Sequence, residues 1–167
     1  MKNLLITICL LGVLAVLTGC TEQVSYLHRK AVFVEAEYAP YNIPGTGKVV
    51  GQAFLKTRGG DVKYGAGNSV YMNPVTSYST EWFESIKQLT RLEDPDPRTN
   101  KYNLQTMADG EGRFEFDNLP AGEYYIMCSI FWEVPSGQHG NMKTTGNPAY
   151  SRVKVENGKT TKTIVTR

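Results

Sequence analysis

Histidine and cysteine are nearly absent from this chain, and much chemistry goes with them. The three cysteines are Cys9, Cys20 and Cys128, and the two histidines are His28 and His139. Cys9 falls in an apolar leader and Cys20 directly after it, both considered below, so the folded part retains Cys128 alone and an intramolecular disulfide is excluded there. No His, Lys or Arg adjoins Cys128 to lower its pKa, and alternating apolar residues surround it; this predicts a buried strand residue in place of a reactive thiol. The chain has no HExxH, GxSxG or CxxC motif, and no cluster of three or four ligands, so neither a metal site nor a cofactor is expected. His139 is the single base near the domain that could activate a serine or cysteine nucleophile. A dominant charge is missing as well. Eighteen Lys and Arg against sixteen Asp and Glu leave a net +2, without the basic stripe that nucleic-acid binding requires. Gly59, Gly60, Gly65 and Gly67 cluster, but no Gly-Lys-Ser or Gly-Lys-Thr follows. Val70-Tyr71-Met72 then reads as a strand, so residues 58–68 are expected to be a flexible hairpin connection and not a phosphate cradle.

Long hydrophobic runs are confined to the N-terminus. Lys2 precedes an apolar stretch over residues 4–17, too short to span a bilayer permanently and of the length of a secretory signal. It ends Leu17-Thr18-Gly19-Cys20. That tetrapeptide resembles the lipobox of bacterial lipoproteins, in which small residues precede a cysteine whose thiol carries the diacylglycerol, with palmitate among the acyl chains. The resemblance implies a signal peptide over 1–19, lipidation of Cys20, and a polar tether over 20–30 before a domain over 31–167. Thr21 stands where an aspartate marks inner-membrane retention in enteric bacteria, so an outer-membrane protein facing the periplasm is expected.

Within the domain, two periods alternate. Residues 31–38 and 48–57 read as strands, the second with Val49, Gly51, Ala53 and Leu55 on one face. Trp82, Phe83, Ile86 and Leu89 fall at helical spacing, with Ser79 or Thr80 as N-cap and an end near Arg91 before Asp94-Pro95-Asp96-Pro97. Its apolar stripe is expected to cover a sheet, while Glu81, Glu84, Lys87 and Gln88 face solvent. Glu93, Asp94 and Asp96 are interrupted by prolines and do not match a calcium loop. In Asp109-Gly-Glu-Gly-Arg-Phe-Glu-Phe, Phe114 and Phe116 alternate with Arg113, Glu115 and Asp117, the pattern of a half-buried strand. A turn follows, with Pro120 fixing φ and Gly122 free to be left-handed. Tyr124, Ile126, Cys128, Ile130 and Trp132 then form a wholly apolar face opposite the mostly apolar Tyr125, Met127, Ser129 and Phe131. Such a strand belongs inside a sheet that is packed on one side and covered by the helix on the other. Residues 135–148 read as a polar loop, and residues 150–156 and 159–166 as strands joined in a hairpin at Asn157-Gly158. About seven strands make a mainly β, antiparallel sandwich of transthyretin-like or immunoglobulin-like type, with one inserted amphipathic helix, the economical architecture.

Thr106, Gly110, Gly112, Phe114, Phe116 and the run Leu119-Pro120-Ala121-Gly122-Glu123-Tyr124, after Gly51 and Leu55, resemble carboxypeptidase regulatory-like domains, which are transthyretin-like β-sandwiches. The likeness spans residues 48–132 and departs from the pattern between Tyr78 and Tyr102, where the helix and proline loop form an insertion. The chain ends Ile164-Val165-Thr166-Arg167, without the Tyr-Arg-Gly-Ser terminus of the ureide hydrolase in that fold group, whose activity is therefore not implied. The expected function is a noncatalytic binding or structural module, held to the membrane by its lipid anchor, for an envelope protein or glycan partner. Its binding residues are expected in the long loop: Gln138, His139, Asn141, Lys143 and Asn147, beside Tyr150. An inhibitor or immunity-type lipoprotein using the same loop, and a hydrolase centred on His139, are the alternatives.

Overall fold

The computed structural model describes residues 26–137 and 140–167. Its regular elements are a one-turn helix α1 (Glu35–Tyr38), strands β1 (Gly47–Lys56), β2 (Val62–Tyr64) and β3 (Ser69–Pro74), and helix α2 (Ser77–Lys87). Strands β4 (Leu104–Met107), β5 (Arg113–Leu119), β6 (Gly122–Pro135), β7 (Met142–Val155) and β8 (Thr160–Val165) complete it. The strands make two four-stranded sheets, one ordered β2-β1-β5 with β8 also on β1, the other β4-β3-β6-β7. The expected β-sandwich is therefore present, with eight strands and with a single parallel pair, β1 with β8, among otherwise antiparallel ladders.

The period-two pattern builds the core between the sheets. Val49, Ala53 and Leu55 of β1, Phe114 and Phe116 of β5 and Val165 of β8 face Val70 and Met72 of β3 and Tyr124, Ile126, Cys128 and Ile130 of β6, all buried. Burial pushes the Cys128 thiol up to about 11, so it is protonated and inert at neutral pH. On the other face of β6, Tyr125 stacks on Phe83 of α2 with centroids 4.0 Å apart, the cover that its two apolar faces require.

Four expectations are corrected. Residues 31–38 are not a strand: their chain runs irregularly into α1. The backbone N–H groups of Lys30 and Ala31 are taken by the Glu81 carboxylate, and Phe33 stacks on Tyr38, so side chains replace a ladder. Of residues 135–148, Pro135 and 142–148 are strand and not loop. β6 and β7 pair continuously from Gly122 with Val155 to Pro135 with Met142, and this long ribbon overrides the poor strand propensity of Gly146 and Pro148. Gly146 in fact has a role there, because an added Cβ would strike the Ile130 carbonyl and the Phe131 ring, which covers it. The turn at Asn157-Gly158 exists, with Gly158 at φ +71°, but it carries the chain from β7 to β8 on the opposite sheet. At the β5–β6 turn the left-handed residue is Asn118, at φ 56°. Gly122 instead admits the Tyr41 ring, 2.6 Å from where a Cβ would stand.

Helix α2 also begins and ends earlier than its apolar spacing suggests. Thr76 is the N-cap, in a capping box with Ser79. At the other end Leu89 adopts φ 57°, with Leu89 N–H donating to the Ile86 carbonyl and Thr90 N–H to the Ser85 carbonyl. This is a Schellman turn, which ordinarily places glycine where Leu89 stands. Leu89 is 57% exposed, so Leu89→Gly forfeits little packing and relieves a left-handed non-glycine residue. The substitution is expected to stabilise the protein by about 1 kcal/mol, read as a raised melting temperature; a lowered one would show that the Leu89 side chain matters more than its backbone.

Candidate functional site, an aromatic and amide cleft

The insertion between β3 and β4 does more than cover the sheet. Residues 26–30 dock against its far end: Leu27 N–H donates to the Arg91 carbonyl at 2.8 Å and Glu93 N–H to the Leu27 carbonyl at 3.0 Å. Together with α2 and the outer face of β3 and β6 they enclose a cleft of about 440 Å³, within the roughly 300–1,000 Å³ of small-molecule sites. Alternation along β3 places Val70 and Met72 in the core and turns Tyr71 and Asn73 outward to form the floor. Tyr78, Trp82 and Ile86, four residues apart on α2, make one wall. The Schellman turn sends the chain back so that residues 90–95 form the opposite rim, closed by Asn103.

Much of this framework is held by polar contacts. Asp96 N–H donates to the Tyr78 hydroxyl at 2.7 Å, and the Asp96 carboxylate accepts from Arg98 Nε at 3.0 Å. That guanidinium holds the Asp96 carboxyl down at about 2, from an ordinary 3.8. A depressed carboxyl stabilises the fold above its unfolded value, so this contribution is complete above pH 3.8 and is lost as pH falls towards 2. Glu93 is likewise held below the usual carboxylate range, first by the backbone N–H of Arg29 and then by His28. Glu93 and Asp96 thus organise the rim. On the floor Asn73 Nδ2 donates to Asn103 Oδ1 at 3.2 Å, leaving the Asn73 carbonyl as an acceptor and the Asn103 amide nitrogen as a donor side by side.

Among the described residues, those expected to bind do not converge. Cys20, Gln138 and His139 lie outside the described residues. Asn141 and Lys143 are exposed at the far end of the β6–β7 ribbon. Asn147 accepts from Arg167 Nη1 at 3.0 Å, and Tyr150 packs edge-on to Phe83 beside α2. Strand rise spreads Asn141 to Tyr150 over roughly 30 Å, and Asn147 and Tyr150 point to opposite faces of β7. On the helix surface around Glu81 and Lys87, Glu81 accepts from the N–H groups of Lys30 and Ala31 and Lys87 pairs with Glu84 on its own helix. The cleft residues Tyr71, Asn73, Tyr78, Trp82 and Asn103 carry no motif. The available signals were the outward position of Tyr71 beside Val70 and Met72, and a tryptophan on a helix stripe.

A second depression of about 560 Å³, over β1, β5 and β8, holds one aromatic residue, Phe114, whose ring belongs to the core. No group of three or more His, Cys, Asp or Glu among the described residues could hold a metal ion.

Fold and cleft define a β-sandwich with a concave aromatic and amide surface built by an inserted helix. No protein-family model matches the chain, and no curated protein matches it. Among solved structures it is similar to a candidate carbohydrate-binding protein of Pseudomonas aeruginosa, at 28% identity and a TM-score of 0.72, over 82% of this chain and 99% of that one.

Proposed function

We propose that this protein is a noncatalytic, membrane-anchored envelope lipoprotein whose sandwich, of the carboxypeptidase regulatory-like kind, binds a glycan in the cleft beneath α2. The observation that carries the reading is the company of Tyr71 and Trp82 with the Asn73–Asn103 amide pair in one concavity. Sugars present apolar C–H faces, which aromatic rings cover, and rows of hydroxyls that each donate and accept, which a paired amide donor and acceptor can satisfy. The similar Pseudomonas protein, described as a candidate carbohydrate binder, supports the same ligand class.

The test is a glycan panel followed by calorimetric titration of the full chain in detergent. Asn103 is exposed, so Asn103→Ala removes one half of the amide pair at little cost to folding, and Trp82→Ala removes the main aromatic surface. Each is expected to weaken binding by about tenfold or more, the scale of a lost hydrogen bond that leaves its partner unpaired. Full affinity in both variants would place the ligand elsewhere, with the β6–β7 turn around Asn141 and Lys143 the next surface to replace.

A further inference from the structure

Residues 26–31 form one wall of the cleft, and they are held there almost wholly by hydrogen bonds to the insertion. Besides the Leu27 bonds to Arg91 and Glu93, Arg29 N–H donates to Glu93 Oε1 at 2.9 Å, and the N–H groups of Lys30 and Ala31 donate to the two oxygens of Glu81 at 2.8 and 3.1 Å. Two carboxylates thus carry the segment. Just beyond it Phe33 is clasped, stacked on Tyr38 with centroids 4.8 Å apart and capped by the Arg98 guanidinium, 4.4 Å from its ring centroid. An undocking of residues 26–31 would therefore stop at Phe33.

Burial adds little to these bonds. Tyr26 and Leu27 are 54% and 51% exposed, and the His28 side chain, which meets Glu93 Oε2 at 2.8 Å, is 96% exposed. Docking also carries a cost. Arg29 Nε donates to the Glu93 carbonyl at 3.1 Å, but Nη1 is buried and, among the described residues, is the one buried side-chain nitrogen or oxygen with no hydrogen-bond partner. A charged donor kept from water without an acceptor opposes the state that buries it, and undocking returns it to water. Few buried apolar contacts and exposed backbone hydrogen bonds mark a segment that opens ahead of the fold as a whole.

Two things change on opening. Tyr26 and Arg29 line the cleft, so their departure removes part of its wall. The span from Cys20 to the first fastened residue grows as well: residues 21–25 ahead of Tyr26 reach at most roughly 20 Å, and residues 21–32 ahead of Phe33 roughly 40 Å.

We propose that residues 26–31 are a releasable strap: docked, it completes the cleft and holds it near the bilayer; released, it opens the wall and about doubles the reach of the tether. The change in reach rests on the lipid-anchor reading above, whereas the opening of the wall holds for any class of ligand.

Amide hydrogen exchange of the full chain in detergent, followed by nuclear magnetic resonance, tests the strap. Glu81→Ala removes the acceptors of Lys30 and Ala31 alone. The amides of Leu27 and Arg29, whose acceptors are untouched, are nevertheless expected to exchange at least about tenfold faster, the scale of a lost charge-assisted hydrogen bond, while those of Ile126 and Cys128 in β6 keep their rates. Glu93→Ala is the converse variant, read at Lys30 and Ala31. In a Trp132→Phe background Trp82 reports on the cleft that it lines. Glu81→Ala is expected to raise its quenching by acrylamide. On vesicles of phosphatidylethanolamine and phosphatidylglycerol with dansylated headgroups, the same variant is expected to lower its energy transfer to the membrane. Acceleration confined to the amides that lost an acceptor, strap amides as slow as those of β6 in the unmutated chain, or Trp82 quenching unmoved in both variants would each overturn the strap. Energy transfer unchanged by Glu81→Ala despite faster strap exchange would overturn the change in reach. No transfer even from the unmutated chain would overturn the lipid anchor and leave the strap standing.

Discussion

Ile126→Ala is expected to destabilise the protein by about 2–5 kcal/mol, the range for truncating a buried isoleucine and leaving a cavity that its neighbours fill only in part. Ile126 is fully buried at the centre of β6, paired with Met72 of β3 on one side and Ser151 of β7 on the other. Ladder bonds on both flanks hold its backbone, so the site cannot collapse by moving the strand. Against a total stability of roughly 5–15 kcal/mol, the loss is large, and thermal or denaturant melts read it directly. Lys162→Ala, on the exposed side of β8, is the control and should stay within about 0.5 kcal/mol. Equal melts for the two would remove β6 from the centre of the fold.

The second large effect concerns location. Cys20→Ser is expected to move the protein from the membrane to the soluble periplasmic fraction and to leave its precursor uncleaved, because serine cannot carry the thioether-linked diacylglycerol. Fractionation with detection of the intact chain decides, and an unchanged membrane fraction would end the lipoprotein proposal. The anchor bears on the site as well. Residues 21–25 separate Cys20 from Tyr26, which lines the cleft; a fully extended chain of that length reaches at most roughly 20 Å. A lipid on Cys20 would therefore hold the cleft close to the bilayer surface, and density-gradient separation of the membranes then shows at which surface.

Legibility from sequence followed the range of the interactions. Phe114 and Phe116, and the even-numbered face from Tyr124 to Trp132, were readable because alternation is a property of neighbouring residues, and a strand with two apolar faces demands a cover. The helix was readable for the same reason, although its end was not. The apolar stripe continues to Leu89, but the chain leaves the helix at Lys87 through a left-handed leucine, and the residues that follow are bonded to the N-terminal segment, which lies far away in sequence. The β6–β7 ribbon was missed because Asn147, Pro148 and Gly146 look like loop residues in isolation and become strand only opposite Ser129, Ile130 and Phe131.

By itself, then, the sequence determined a β-sandwich with one amphipathic helix and a buried Cys128, because composition and short periods suffice for each. The tertiary structure decided the rest. Tyr71 and Asn73 on β3, Trp82 on α2, Asn103 before β4 and Arg29 ahead of the domain come from four separate segments, and no spacing along the chain encodes their meeting. Their convergence depends on where the helix packs and how the chain returns from it, which long-range burial of Phe83 on Tyr125 and the capture of residues 26–31 by Glu81 and Glu93 determine.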